Sequence, residues 1–134
     1  SDAGLDLCWS PEDASLRGVR IEPGESKVLP TGCKFAIPHG YMMEIKNRSS
    51  VAAKQSLIVG ASVVDSGYEG EVFVNLHNIG TITQLLEPGA KIAQAVIVPV
   101  VAARFVASDS PDIYDWYPIT ISERGDGALG STGK

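Results

Sequence analysis

Five short segments of the chain place charged or hydroxyl side chains beside glycine or other turn-forming residues. Arginine donates forked hydrogen bonds to phosphate oxygens, and hydroxyls and glycine-flanked N–H groups add neutral donors. Each segment alone is typical of a solvated turn, but together they predict a site for a phosphorylated ligand. Three of the segments contribute one cation each, namely Arg48, Lys91 and Arg124. The segments are residues 3–7, 48–50, 63–71, 89–94 and 124–133.

Composition and charge exclude several kinds of partner. The 134 residues carry a net charge of -5, with a pI near 4.9, whereas nucleic-acid binding generally needs a basic face. No apolar run reaches the roughly 20 residues of a membrane helix, and residues 1–4 do not resemble a signal peptide. We therefore expect no nucleic-acid or membrane partner and a cytoplasmic, nuclear or viral-host location without secretion. Sparse, distant Cys8 and Cys33 are expected to be reduced thiols.

Other motifs in the chain do not have the context that their chemistry needs. Residues 125–130 match GxGxxG, but no strand–helix unit has room to follow them. Residues 130–134 resemble the end of a phosphate-binding loop, but Ala128 stands where its first glycine belongs. His39 and His77 have no companion ligands at metal-binding spacing. The sequence therefore predicts neither a dinucleotide-binding fold nor a P-loop nor a histidine metal site.

The elements that must position the five segments are short strands. The length predicts one domain, and 14 glycines with 8 prolines favour many short strands over long helices. Residues 71–78 alternate clearly, with Val72, Val74 and Leu76 on one side and Phe73 interrupting the polar side. Helical turns are considered only at 81–86 and 11–16. Further apolar segments that predict strands are residues 27–29, 33–37, 41–46, 57–59, 63–64, 91–98 and 119–121.

In their order and spacing, the five segments resemble the five motifs of the trimeric dUTPase (dUTP pyrophosphatase) family. The resemblance runs from Ala3 to Lys134, and residues 64–71 and 124–133 are its most specific parts. It implies an all-β, jelly-roll-like barrel or sandwich that forms a homotrimer with exchanged C-terminal tails and shared active sites. The core would comprise residues 1–123, and residues 124–134 would be a flexible active-site tail.

The resemblance also implies a reaction. The enzyme would hydrolyse dUTP to dUMP and pyrophosphate by Mg²⁺-assisted in-line attack of water on the α-phosphorus. This reaction limits uracil in DNA and supplies dUMP for dTMP synthesis. Asp65 resembles the catalytic carboxylate that deprotonates the water, and Asp6 resembles the acid that holds the metal through water. Two alternatives remain open: a dCTP deaminase of the same superfamily, and a weakly active, nucleotide-binding regulatory trimer.

Binding roles follow from the same resemblance. The ring of Tyr68 would pack under the deoxyribose and exclude a ribose 2′-hydroxyl, while backbone groups of residues 60–68 would read uracil. The base and sugar positions are Gly60, Ser62, Val63, Tyr68 and the lid position Leu129. The phosphate positions are Arg48, Ser49, Ser50, Gln94, Arg124, Gly130, Ser131 and Thr132.

The chain departs from the family pattern at several of these positions. Leu129 stands where an aromatic lid is usual, so it offers apolar cover without a ring to stack on the base. Phe73 is a candidate for the missing aromatic, although packing at a subunit interface is the favoured interpretation. Ser62 replaces a glycine, Lys91 replaces an arginine, and Asn47 replaces the proline before Arg48.

Overall fold

The computed structural model describes residues 1–115, and residues 116–134 lie outside the description. Residues Ser1–Ala102 form one compact unit, and a second unit begins at Ala103. In the second unit, a single 3₁₀ turn spans Ile113–Asp115 within the described part. The elements of the first unit are β1 (Leu5–Cys8), β2 (Val19–Ile21), β3 (Ser26–Pro30), β4 (Tyr41–Lys46), α1 (Ser49–Gln55), β5 (Leu57–Val59), β6 (Val63–Val64), β7 (Phe73–Asn78), β8 (Gln84–Leu86) and β9 (Lys91–Pro99).

The strands form three antiparallel sheets. The largest has the order β1-β9-β4-β6, the second has the order β3-β7-β5, and the third pairs β2 with β8. β9 is central because its nine residues pair with β1 on one side and with β4 on the other. Strands distant in sequence therefore bring the candidate segments onto shared sheets.

One buried cluster draws side chains from all three sheets, including Ile21, Met43 and Leu76. The predicted alternation of residues 71–78 is confirmed, because Val72, Val74 and Leu76 are at most 2% exposed. Phe73 is 43% exposed on the opposite side. Burial of the alternating face fixes the register of β7, since a shift by one residue would turn its apolar side chains outward.

Residues 33–37 do not form the predicted strand. Phe35 and Ile37 do pack toward the core, which explains the strand-like pattern. The segment makes one backbone hydrogen bond to the residue that precedes β7: the Val72 N–H donates to the Cys33 carbonyl at 2.9 Å. The Val72 carbonyl that could extend a ladder instead accepts the Thr31 hydroxyl at 2.6 Å.

The helical turn considered at 81–86 is also wrong, because residues Gln84–Leu86 form β8 against β2. Buried Asn78 explains this pairing: its Nδ2 donates to the carbonyls of Ile21 and Ile82, both at 2.8 Å. This side chain holds the two approaching segments at pairing distance. At 11–16 the chain makes a turn rather than a helix, with the Asp13 carboxylate accepting the Ser15 N–H at 2.9 Å.

The sequence patterns missed α1, which spans only seven residues and buries a single side chain, that of Val51. Short helices of this kind carry no amphipathic repeat to detect. The helix ends at Gln55, and its C-cap residue Ser56 has a φ of 55°, in the left-handed region. Cys8 and Cys33 are both free. Within residues 1–115, no helix has the length and apolar character needed to cross a membrane.

Candidate active site

Three charged residues from separate motifs meet at the β1 edge of the four-stranded sheet. Asp6 lies on β1, and its Oδ1 accepts the Arg48 Nε–H at 2.8 Å. Its Oδ2 lies 2.9 Å from the Nζ of Lys91. Two cations thus share one carboxylate, and we call these three residues the cation cluster.

A β-bulge brings Lys91 to this cluster. The β1–β9 register shifts between Leu7 and Cys8, which pair with Ala93 and Lys91. Ile92 and Ala93 are consequently both buried, although successive strand residues normally point to opposite faces. The extra residue returns Lys91 to the outer face that Asp6 occupies.

The cluster keeps Asp6 ionised. The hydrogen bond from Lys91, followed by that from Arg48, holds the pKa of the Asp6 carboxyl below its ordinary value of 3.8. The side chain of Arg48 is 27% exposed, whereas that of Lys91 is 58% exposed. Since one carboxylate faces two cations, the cluster retains net positive charge for an anionic ligand.

Gln94 and the phosphate-position serines lie beside the cluster. Gln94 is the direct cross-strand partner of Asp6, so the two side chains share the outer face. Its Nε2 donates to the Asn47 carbonyl at 2.9 Å. Exposed Ser49 and Ser50 open α1 directly after Arg48. The structure therefore brings together all the described residues that were assigned to phosphate.

A second group of predicted site residues lines an open pocket of about 250 Å³ next to β6. Asp65 follows β6 and is exposed, and its carbonyl accepts the Tyr68 N–H at 3.1 Å. The lining residues are Val63, Val64, Asp65, Tyr68, Glu71, Val72 and Phe73. The predicted catalytic carboxylate, the predicted sugar-packing ring and Phe73 thus line one pocket, which we call the Asp65 pocket.

The ring of Tyr68 is held against a glycine. Its hydroxyl donates to the Glu71 carbonyl at 2.6 Å, and the side chain remains 45% exposed. A Cβ at Gly70 would lie 2.5 Å from the Tyr68 hydroxyl oxygen and 2.7 Å from Cζ. The absence of a side chain at Gly70 therefore leaves the space that the Tyr68 ring occupies.

Glu71 is a pocket residue that the sequence analysis did not assign. Its Oε2 is buried and finds no hydrogen-bond partner within residues 1–115. Nothing in the alternation of β7 signals this, because the strand pattern reports only that Glu71 faces away from Val72. An unpartnered carboxylate oxygen in a pocket is free to accept a hydrogen bond from a ligand or from a second chain.

The root of the predicted base-reading hairpin is tightly packed. The Gly60 N–H donates to the Asn75 carbonyl at 2.9 Å. A Cβ at Gly60 would collide with Asn75 Oδ1 and His77 Nε2, two atoms that are 2.9 Å apart and hydrogen-bonded to each other. Ser62 is half-buried, and its carbonyl accepts the Ile45 N–H at 2.8 Å.

Within one chain, the cation cluster and the Asp65 pocket do not meet. β1 and β6 are the opposite edges of the four-stranded sheet. With strands roughly 4.8 Å apart, three steps across the sheet separate the two edges by about 14 Å. The remaining predicted site residues, Arg124, Leu129, Gly130, Ser131 and Thr132, lie outside the described residues.

The chain is similar to known proteins over nearly its whole length. The sequence model of the dUTPase family matches residues 1–133. A deoxyuridine 5′-triphosphate nucleotidohydrolase from Chlamydia felis is 36% identical over 144 residues, covering 99% of this chain and 95% of that protein. The corresponding protein of Chlamydia abortus is 40% identical over 118 residues, covering 87% of this chain and 77% of its own.

Solved structures show the same likeness. The dUTPase of Staphylococcus bacteriophage 80alpha with dUpNHpp matches with a TM-score of 0.80 and 25% identity, covering 100% of this chain and 88% of that one. EIAV dUTPase matches with a TM-score of 0.69 and 31% identity, covering 84% and 88%. A mutant dUTPase of S. aureus phage phi11, with a TM-score of 0.69, 25% identity and coverage of 81% and 84%, coordinates a structural Mg(II) ion. The predicted all-β, jelly-roll-like fold is confirmed.

Proposed function

The chain belongs to the dUTPase family and is a dUTP nucleotidohydrolase, and from this premise we propose how its residues perform the reaction. We propose that dUTP is converted to dUMP and pyrophosphate in a homotrimer whose active sites are shared between subunits. The observation that carries this proposal is the separation of the cation cluster from the Asp65 pocket on opposite edges of one sheet.

A shared site follows from what one nucleotide must contact. The Asp65 pocket offers the base-reading hairpin and a carboxylate, while the cation cluster offers the positive charge that a triphosphate needs. A second copy that docks its β1 edge beside the β6 edge of the first would unite the two halves. We propose that the third subunit contributes the tail, with Arg124, Ser131 and Thr132 on the terminal phosphates.

Base and sugar recognition would come from the Asp65 pocket. Backbone groups of residues 60–68 can accept the uracil N3–H and donate to O4, a pattern that cytosine does not match. The ring of Tyr68 would occupy the space of a ribose 2′-hydroxyl, so UTP would be excluded sterically. Phe73 lines the same pocket and is 43% exposed, so its ring can either cover the base, where Leu129 offers no ring, or pack against a second subunit.

The phosphate chain would lie on the cation cluster. Arg48 uses Nε to bind Asp6, and within residues 1–115 its terminal Nη groups donate no hydrogen bond to protein. Those groups can therefore form the paired bonds that arginine makes with phosphate oxygens. The Ser49 and Ser50 hydroxyls and the Gln94 carboxamide would supply neutral donors beside them.

We propose that Asp65 accepts the proton from the attacking water. The water oxygen forms a bond to the α-phosphorus, the bridging P–O bond on the opposite side breaks, and pyrophosphate leaves with the bonding electrons. A carboxylate that is exposed at the mouth of the pocket can orient a water and act as general base. The cations would stabilise the negative charge that develops on the phosphates.

Within residues 1–115, no group of three or more acidic, histidine or cysteine side chains could hold a metal ion, so we propose that Mg²⁺ binds with the phosphate chain and contacts Asp6 only through water. Both oxygens of Asp6 already bind cations, so the carboxylate is not free to bind a metal ion directly. Each oxygen keeps a lone pair that can accept a hydrogen bond from a metal-bound water. When bound, the ion would neutralise charge on the phosphate chain and fix its geometry. We propose that this hydrolysis of dUTP limits uracil in DNA and supplies dUMP for dTMP synthesis.

Chromatography of the nucleotide products tests the proposal. The purified protein is incubated with dUTP, dCTP, dTTP or UTP, with Mg²⁺ and with EDTA. We expect rapid formation of dUMP and pyrophosphate from dUTP, with only trace hydrolysis of the other three nucleotides, and loss of turnover in EDTA and in Asp65→Asn. Asp109→Asn is the matched control, since Asp109 is exposed and makes no hydrogen bond within residues 1–115. Deamination of dCTP, or binding of dUTP without turnover, would contradict the proposal.

A further inference from the structure

Asn47 joins two parts of the molecule that belong to different sheets. It follows β4 and precedes Arg48, in the connection to α1. Its side-chain Oδ1 accepts the Val59 N–H at 2.8 Å, and its carbonyl accepts from Gln94 Nε2 at 2.9 Å. One residue therefore contacts both the cation cluster's neighbour Gln94 and the strand that leads into the hairpin.

The Val59 N–H lies at a free sheet edge. β5 is the last strand in the order β3-β7-β5, so one side of it has no strand partner among residues 1–115. Successive N–H groups of a strand point to opposite sides, and the Gly60 N–H points to β7, where it binds the Asn75 carbonyl. The Val59 N–H consequently points outward, and the Asn47 carboxamide takes the place of a further strand.

Residues 63–64 of the hairpin pair with β4, and three further hydrogen bonds hold the root of the hairpin of residues 60–68. Two are between backbone groups, from Gly60 N–H to the Asn75 carbonyl and from Ile45 N–H to the Ser62 carbonyl. The third is the Asn47–Val59 bond, which is the one that a side chain makes. Substitution of Asn47 therefore removes one anchor and leaves the β4–β6 pairing and the two backbone bonds in place.

We infer that Asn47 is a specificity-determining positioning residue, which fixes the base-reading hairpin relative to the phosphate-binding residues of the same chain. The inference rests on the proposed function, because it assigns the reading of uracil to the backbone of residues 60–68. Backbone groups discriminate between bases only when they are held in place, since a shift of about 1 Å loses a hydrogen bond. A proline at this position would offer no acceptor to Val59.

The test compares Asn47→Ala with Asn47→Asp, which keeps the acceptor oxygen. The first readout is the ratio of kcat/KM for dUTP to that for dCTP. The two substrates have identical phosphates, so any effect of the added charge cancels in this ratio. The second readout is amide hydrogen exchange at Val59. Gln84→Ala is the control, because Gln84 lies on β8 and its carboxamide makes no hydrogen bond within residues 1–115.

We expect Asn47→Ala to lower the dUTP:dCTP ratio of kcat/KM about fivefold, which is the effect of losing one ordinary hydrogen bond. The same variant should accelerate amide exchange at Val59. Asn47→Asp should retain both values, and Gln84→Ala should change neither. An unchanged ratio in Asn47→Ala despite faster Val59 exchange would show a purely structural bond and overturn the inference. If Asn47→Ala does not fold, Asn47→Gln displaces the oxygen while keeping the carboxamide, and the same two outcomes decide.

The wild-type measurement separates this inference from the proposal on which it rests. Wild-type protein that makes dUMP from dUTP while Asn47→Ala keeps its discrimination overturns the inference alone. Wild-type protein that makes no dUMP overturns the proposed function and the inference together.

Discussion

Arg48 Nε donates to Asp6 Oδ1 at 2.8 Å, although 42 residues separate the two in sequence. The bond joins β1 to the start of α1, two elements whose own sequences do not indicate that they meet. It also gives Asp6 a dual place in the molecule, as an ion-pair partner in the folded chain and as a neighbour of the proposed phosphate site.

The Asp6 ion pairs predict a pH-dependent contribution to stability. Because Lys91 and Arg48 hold the pKa of Asp6 below 3.8, the folded state favours the ionised carboxyl. The contribution is thus fully present above the ordinary carboxyl pKa and is lost as pH falls through the lower folded value. The Tm difference between wild type and Asp6→Asn should be constant near neutrality and shrink below about pH 4. Asp109→Asn is the control, and a difference that persists unchanged to pH 2 would contradict the assignment.

Gly70→Ala should alter specificity more than stability. The added Cβ would meet the Tyr68 ring, which is 45% exposed and can swing outward. We expect the ratio of kcat/KM for dUTP to that for UTP to fall at least about fivefold, with Tm nearly unchanged. Gly67→Ala is a matched control, since a Cβ there meets nothing within 4 Å. Equal ratios in both variants would show that Tyr68 does not exclude the 2′-hydroxyl.

The alternating burial of residues 71–78 could be predicted from the sequence because the apolar pattern repeats at every second residue. Val72, Val74 and Leu76 lie at every second position, and their burial can be predicted without knowing which strand pairs with β7. The family resemblance likewise indicated Asp6, Arg48, Lys91 and Gln94 as one site, and the structure brings them together.

The remaining features depend on pairing between distant segments. The bulge that turns Lys91 outward arises from the pairing of β1 with β9, so no local sequence pattern predicts it. The same holds for Asn78, whose amide draws two segments into the β2–β8 pair where a helical turn was considered. The Asn47–Val59 bond also joins residues that no spacing rule connects.

Phe73→Ala separates the two interpretations of this exposed ring. If Phe73 covers the base, KM for dUTP should rise at least about fivefold, the lower range for the loss of base stacking. Tm should then change little, because the ring is 43% exposed in the chain. If Phe73 instead packs between subunits, the variant should dissociate in sedimentation analysis at concentrations where wild type does not. Phe105→Ala, which removes a ring that is 95% exposed, is the control.

Mixing two inactive variants tests whether the active site is shared between subunits. Asp65→Asn removes the proposed base from the Asp65 pocket, and Arg48→Ala removes a cation from the cluster at the opposite sheet edge. In a shared site, an intact pair requires Asp65 from one subunit and Arg48 from its neighbour. Random co-assembly at equal amounts should leave about a quarter of sites intact and restore about that share of wild-type kcat. If each chain instead carried a complete site, every site would lack one residue and co-assembly would restore no activity. Mixing either variant with itself under the same refolding conditions controls for recovery that arises from refolding alone.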